Sequence, residues 1–201
     1  MKTGLQSGER YQQQQGLVMD EDESRELSIT TRAWLEINPS ALGQNIQQIK
    51  SLLSPATELM AVVKANAYGH GAVLVAQTAL KHGVTSLAVA TIAEGQELRW
   101  AGIEAPILVL GAVNTPEEII AIAQYHLEPN LSTPEQAKLF SATLTNANSA
   151  NSANGVRWAM PTLLKANSGK SLPVHINIDT GMSRLGMPWQ EAQELVQLVQ
   201  S

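Results

Sequence analysis

From Leu59 onward, short apolar runs of strand length alternate with amphipathic stretches of helix length. Met60-Ala61-Val62-Val63 precedes Val73 to Leu80, Leu87-Ala88-Val89-Ala90 precedes Glu94 to Trp100, and Ile107-Leu108-Val109-Leu110 precedes Ile119 to Tyr125. A weaker run near Leu127 to Leu131 leads into a helix through Ala137 and Phe140, and Val174-His175-Ile176-Asn177-Ile178 leads to a last helix ending near Val199. Thr91-x-x-Glu94, Thr115-x-x-Glu118 and Thr133-x-x-Gln136 are capping boxes placed where each strand should turn into a helix. Strands that are apolar at consecutive positions, rather than at alternate ones, belong in a parallel sheet covered by helices.

Two architectures meet that description, a closed barrel of eight strand–helix units and a doubly wound open sheet. The alternation supplies about five units, where a barrel takes eight and about 250 residues. The 201 residues are enough for one domain by length. The fold class expected from the alternation is therefore α/β, with both architectures left open and, for a barrel, about three units short.

Ahead of the alternation, Trp34-Leu35-Glu36-Ile37 alternates like a short strand, and Asn38-Pro39 forms an N-cap with Pro at the first helical position before Leu42, Ile46 and Ile49. Residues 1–31, with the glutamines 12–15 and the acidic residues 20–23, are expected to be a disordered leader, or alternatively an interaction tail. The ordered part is assigned to residues 32–201. Within it, residues 143–172 contain an Asn/Ser-rich run and are expected to be a low-complexity surface insertion without chemistry.

Composition narrows the chemistry. With 13 Lys and Arg against 18 Asp and Glu the chain is acidic, with a net charge of −5, which disfavours nucleic acid as a partner. No cysteine is present, so disulfides, thiolate metal sites and cysteine nucleophiles are excluded, and a cytoplasmic chain is the simplest expectation. His70, His82, His126 and His175 lack ligand spacing, and no metal is expected. No apolar run has the roughly 18 residues of a membrane helix.

In parallel α/β folds, catalytic groups collect where strands end and loops lead into helices. Two such loops are unusual, Lys64 to Gly71 and Asp179 to Gly186. Lys64 follows a buried run, so its amine emerges among apolar walls, where desolvation favours the neutral nucleophile that covalent carbonyl chemistry requires. A lysine snorkelling from a strand end into water is the alternative. Tyr68, Gly69 and Gly71 precede a helix start near Ala72 and suit an anion, although a tight turn is the better explanation of the glycines taken alone. Arg184 offers a guanidinium to a carboxylate or phenolate, or else pairs with Asp179 in its own loop.

The complete strings say more than their parts. Ala61-Val62-Val63-Lys64-Ala65-Asn66-Ala67-Tyr68-Gly69-His70-Gly71 resembles the segment around the cofactor lysine of bacterial alanine racemases, and Arg32 to Ile37 and Asp179-Thr180-Gly181-Met182-x-Arg184-Leu185-Gly186 match in order and spacing. The resemblance implies a pyridoxal 5'-phosphate isomerase, a cytoplasmic homodimer that interconverts L- and D-alanine for peptidoglycan, built from an α/β barrel of the (β/α)8 TIM-barrel type and a C-terminal β domain; this chain is expected to hold about five of the barrel units and not the β domain. Lys64 would hold the cofactor covalently and act as base on the D-alanine face. Tyr68 would bind the phosphate, and Arg184 would sit beside the phenolic oxygen and the substrate carboxylate. Serine is a possible second substrate. The opposite base, a tyrosine of the partner subunit, is expected beyond Ser201, so the chain is expected to be an N-terminal part of such a protein and inactive alone.

Two positions depart from the pattern. Asn177 stands where many members of the resembled family carry a lysine, often carbamylated, and a bound anion such as chloride near Asn177 and Arg184 would replace the missing charge; a bromide soak leaving that place empty would remove the idea. Ser183 replaces a common glycine. The rival expectations are a non-catalytic pyridoxal-phosphate-binding barrel and a fragment without function.

Overall fold

The computed structural model describes residues 35–153 and 172–200. Its centre is a five-stranded parallel sheet in the order β1-β2-β3-β4-β5, formed by β1 (Met60–Val62), β2 (Ser86–Val89), β3 (Ile107–Val109), β4 (Glu128–Leu131) and β5 (His175–Ile176). Each strand lies beside its predecessor in sequence. A doubly wound sheet reverses direction at a switch point and would break this order, so the sequential arc selects the barrel-type arrangement.

The inner strands β2, β3 and β4 are buried on both faces along most of their length, as their runs require, while Val62 on the edge strand β1 is 43% exposed. Leu87, Ala88 and Val89 are consecutive and each 0% exposed. Against them pack Leu98 of α4 (Ile92–Trp100) and Ile119 and Ile122 of α5 (Pro116–Gln124), also fully buried. Each such side chain contributes about 1.5–3 kcal/mol through burial. On the sheet's other end, α1 (Pro39–Leu52) packs on α3 (Ala72–Lys81), with Gly43 so close to the His82 ring that a Cβ there would stand 2.4 Å from Nε2.

The helix starts follow the local code. The Thr91 and Thr115 hydroxyls accept from the N–H of Glu94 at 3.3 Å and Glu118 at 3.2 Å, and both glutamates reach back to the cap backbone. Asn38 accepts from Ala41 N–H at 3.0 Å to begin α1. At Thr133 the forward bond to Gln136 N–H forms, while the Gln136 side chain reaches one residue further back, to Ser132 N–H at 2.7 Å.

Three expectations are corrected. Leu35 to Ile37 form no strand, and Leu35 is 68% exposed. Alternation shows which face a strand would bury but supplies no neighbouring strand to complete the ladder. Residues 143–153 are not a loop, because α6 runs from Pro134 to Ala153. Thr143 is buried and Leu144 packs against the core, and extending a helix that already exists is far easier than nucleating one, so Asn and Ser do not stop it. The single strand expected over 174–178 divides at Asn177: its N–H donates to Leu131 O of β4, while its carbonyl accepts from Met187 N–H. Ile178–Asp179 (β6) then pairs in parallel with Met187–Pro188 (β7), ahead of α7 (Ala192–Gln200). The expected leader, residues 1–31, lies outside the described residues, as does most of the expected insertion.

Candidate active site

Every strand of the arc delivers a residue to one cleft at its C-terminal end. Lys64 follows β1, Ala90 follows β2, Leu110 and Gly111 follow β3, Asn130 lies on β4 and Asn177 follows β5. The loop after β6 closes it with Thr180, Met182, Arg184 and Leu185, around a cavity of about 360 Å³. Lys64 and Arg184, 120 positions apart in the sequence, thus line the same space. Lys64 is half-buried and Arg184 exposed.

The segment after Lys64 departs from ordinary backbone. The α2 segment (Lys64–Tyr68) is a left-handed turn, with φ of 52° at Ala65, 54° at Asn66, 51° at Ala67 and 56° at Tyr68. Left-handed helical conformation costs about 1–2 kcal/mol for each non-glycine residue, and such strain persists only where surrounding contacts enforce it. The contacts are present. Ala67 N–H donates to Val63 O at 2.9 Å, Gly69 N–H to Ala65 O at 3.2 Å, and Gly71 N–H to Asn66 O at 3.0 Å. The Asn66 side chain accepts from Ala72 N–H at 2.7 Å and so starts α3. Across the sheet edge, Glu94 Oε1 accepts from Ala65 N–H at 2.8 Å, while Oε2 takes Ala90 N–H at 2.6 Å and Thr91 N–H at 3.2 Å.

The second loop is held by Asp179. Its Oδ1 accepts from Gly181 N–H and Ser183 N–H, both at 2.9 Å, and the Ser183 and Gly181 amides hold this carboxyl below the usual carboxylate range. Asp179 therefore serves its own backbone rather than Arg184, and elsewhere His175 Nε2 and Glu128 Oε2 are hydrogen-bonded at 2.6 Å. Gly186 has φ of 107°, and a Cβ there would stand 2.8 Å from Asp179 N, so only glycine closes this loop against β6. Ser183, at φ of 52°, occupies the left-handed position where glycine is the easier residue.

The three residues singled out from the sequence are not all in one place. Tyr68 is 61% exposed and lines a neighbouring hollow of about 450 Å³ with Leu35, Val62, His70 and Val75, not the cleft shared by Lys64 and Arg184. The histidines bind locally, His70 Nδ1 to Ala67 O and His82 Nδ1 to Thr78 O, and no metal-binding cluster is found among the described residues. Two site residues escaped the sequence reading. Glu94 was legible only as a helix cap, and Asn130 is a buried amide whose Nδ2 donates to Leu110 O at 3.3 Å. A polar residue at the C-terminal end of a strand, next to Leu131, was the available signal.

Comparison with known proteins agrees with this fold. The family described as alanine racemase, N-terminal domain, matches residues 37–201. An alanine racemase of Nostoc sp. is 54% identical over 169 residues, covering 84% of this chain and 39% of that protein, and one of Synechocystis sp. is 53% identical over 173 residues, covering 86% and 41%. Among solved structures, alanine racemase of Clostridium difficile in complex with cycloserine superposes with a TM-score of 0.68 at 34% identity, over 85% of this chain and 42% of that one. The chain thus spans about 40% of the length of the relatives it matches. Sequential parallel strands, a lysine and an arginine on one cleft, and matches extending over most of the chain place it in the alanine racemase family, as a (β/α) barrel-type N-terminal domain.

Proposed function

We propose that this chain carries the cofactor-bearing half of an alanine racemase site, with pyridoxal 5'-phosphate held on Lys64. The observation that carries the proposal is the convergence of the Lys64 amine and the Arg184 guanidinium on one cavity of about 360 Å³. That volume lies within the range of about 300–1,000 Å³ for small-molecule sites. The donor set suits the group: an amine for its aldehyde and a fixed cation for its phenolic oxygen. When bound, the cofactor supplies a conjugated ring that delocalises the charge left as the substrate's α proton departs.

The residues have separate tasks. Lys64 holds the cofactor and, once displaced by substrate, exchanges a proton at Cα on the D-alanine face. Arg184 orients the substrate carboxylate and, lying in a loop organised by Asp179, needs no ion-pair partner to be broken first. Tyr68 is assigned the phosphate on the family resemblance alone, since it lines the neighbouring hollow rather than the cleft of Lys64 and Arg184. The wider activity, L- and D-alanine interconversion by a cytoplasmic homodimer supplying peptidoglycan synthesis, rests on the family resemblance; among the described residues no helix is long and apolar enough to cross a membrane.

The test is covalent trapping. The chain is mixed with pyridoxal 5'-phosphate, reduced with borohydride and digested, and the modified peptide is identified by mass. Modification at Lys64, lost in Lys64→Ala, is expected; modification spread over surface lysines with none at Lys64 would overturn the assignment.

A further inference from the structure

We propose that Glu94 is a positioning residue for Lys64. The proposal rests on the assignment of Lys64 as the cofactor lysine and identifies what aims it. The peptide unit joining Lys64 to Ala65 is planar, so whatever anchors the Ala65 N–H also fixes ψ of Lys64 and the direction in which its side chain leaves the strand. Glu94 Oε1 provides that anchor at 2.8 Å. Its other oxygen is tied to the β2–α4 turn through Ala90 and Thr91 N–H, at 2.6 and 3.2 Å. One carboxylate therefore bridges the ends of two neighbouring strands and holds a turn whose backbone would otherwise relax.

The other capping boxes of the chain isolate this role. Glu118 uses Oε2 for both Asn114 N–H and Thr115 N–H, at 2.9 and 3.1 Å, and reaches no residue of a catalytic loop. Gln136 shows that an amide serves as the N3 capping residue here, since its Oε1 accepts from Ser132 N–H while its Nε2 donates to Asn114 Oδ1 at 2.8 Å. A glutamine at 94 has only one accepting atom for two sets of backbone donors. It keeps the cap or the turn, not both.

The experiment compares the wild-type chain with Glu94→Gln and Glu118→Gln. The readouts are the apparent Kd for pyridoxal 5'-phosphate from the spectrum of the Lys64 adduct, the hydrogen exchange of the Ala65 amide, and the thermal midpoint. Glu118→Gln is expected to match wild type in Kd. Glu94→Gln is expected to bind about tenfold or more weakly, the loss that follows from one hydrogen bond to a charged acceptor, and to exchange the Ala65 amide faster at a similar midpoint. A backbone ester at position 65 removes the same N–H while leaving Glu94 and its cap intact, and should reproduce the loss of affinity if Glu94→Gln does not fold. Equal Kd values for both glutamine variants, or for the ester and wild type, overturn the role of Glu94 alone. Absence of a Lys64 adduct in wild type instead overturns the cofactor assignment and this role with it.

Discussion

Arg99 shows how a single charged side chain can organise two loops without touching the cleft. Its Nε donates to Tyr125 O at 3.0 Å, Nη1 to Ile103 O at 2.7 Å and Ala105 O at 2.8 Å, and Nη2 to His126 O at 2.8 Å. This use of the planar fork has no lysine equivalent. Arg99→Lys is expected to leave buried carbonyls unpaired and to lower stability by about 2–3 kcal/mol, read from urea unfolding. The same cluster creates a pH dependence. Burial, and after it the neighbouring Arg99 charge, hold the His126 imidazole below its ordinary pKa. As pH falls below about 6.5 the unfolded chain therefore takes up this proton before the folded one does, and stability drops until the folded-state value is passed. His126→Asn, which tolerates the left-handed backbone at this position and cannot titrate, should show a shallower fall in thermal midpoint between pH 7 and 5. An unchanged slope would mean that another group sets it.

At the level of elements, the capped helices were legible because their signals are local: a threonine, a glutamate three residues on, and an apolar face. The left-handed turn was not legible. Ala65, Asn66, Ala67 and Tyr68 include no glycine, and their conformation is imposed by Asn66, by Glu94 and by backbone bonds that close only in the folded sheet. The length of α6 was hidden for a related reason, since the low-complexity composition that marks a loop is also compatible with continuing a packed helix. Strain of this kind can be relieved at one position. Ala65 is exposed and sits at φ of 52°, so Ala65→Gly is expected to raise stability by about 0.5–1 kcal/mol in chemical unfolding while keeping the N–H that Glu94 accepts. Ala65→Pro, which fixes φ near −65° and removes that N–H, should be strongly destabilised. Comparable stability in the two variants would show that the turn is not held in the left-handed region in solution.

For the whole molecule, parallel pairing and helical cover could be read from the sequence, but the order of strands could not, because neighbour choice is settled by packing between distant segments. The sequential arc then determines which residues meet. Of the groups lining the described cleft, Lys64, Asp179 and Arg184 are the ionisable ones. Arg184 cannot act as a base, and Asp179, held below the usual carboxylate range by the Ser183 and Gly181 amides, is a poor one near neutral pH. The described cleft therefore offers a single effective base, whereas inversion at carbon takes a proton from one face and returns it to the other. If Lys64 serves the D-alanine face, the chain loaded with pyridoxal 5'-phosphate in deuterium oxide should replace the α proton of D-alanine with deuterium, with retention of configuration, faster than that of L-alanine. Free cofactor treats the two enantiomers alike and supplies the control. Loss of the α-proton signal in NMR spectra, combined with chiral analysis, reads both quantities. Equal exchange of the two enantiomers, or formation of L-alanine at the rate of exchange, would require a second base within the described cleft and would contradict the assignment of Lys64 as its sole base.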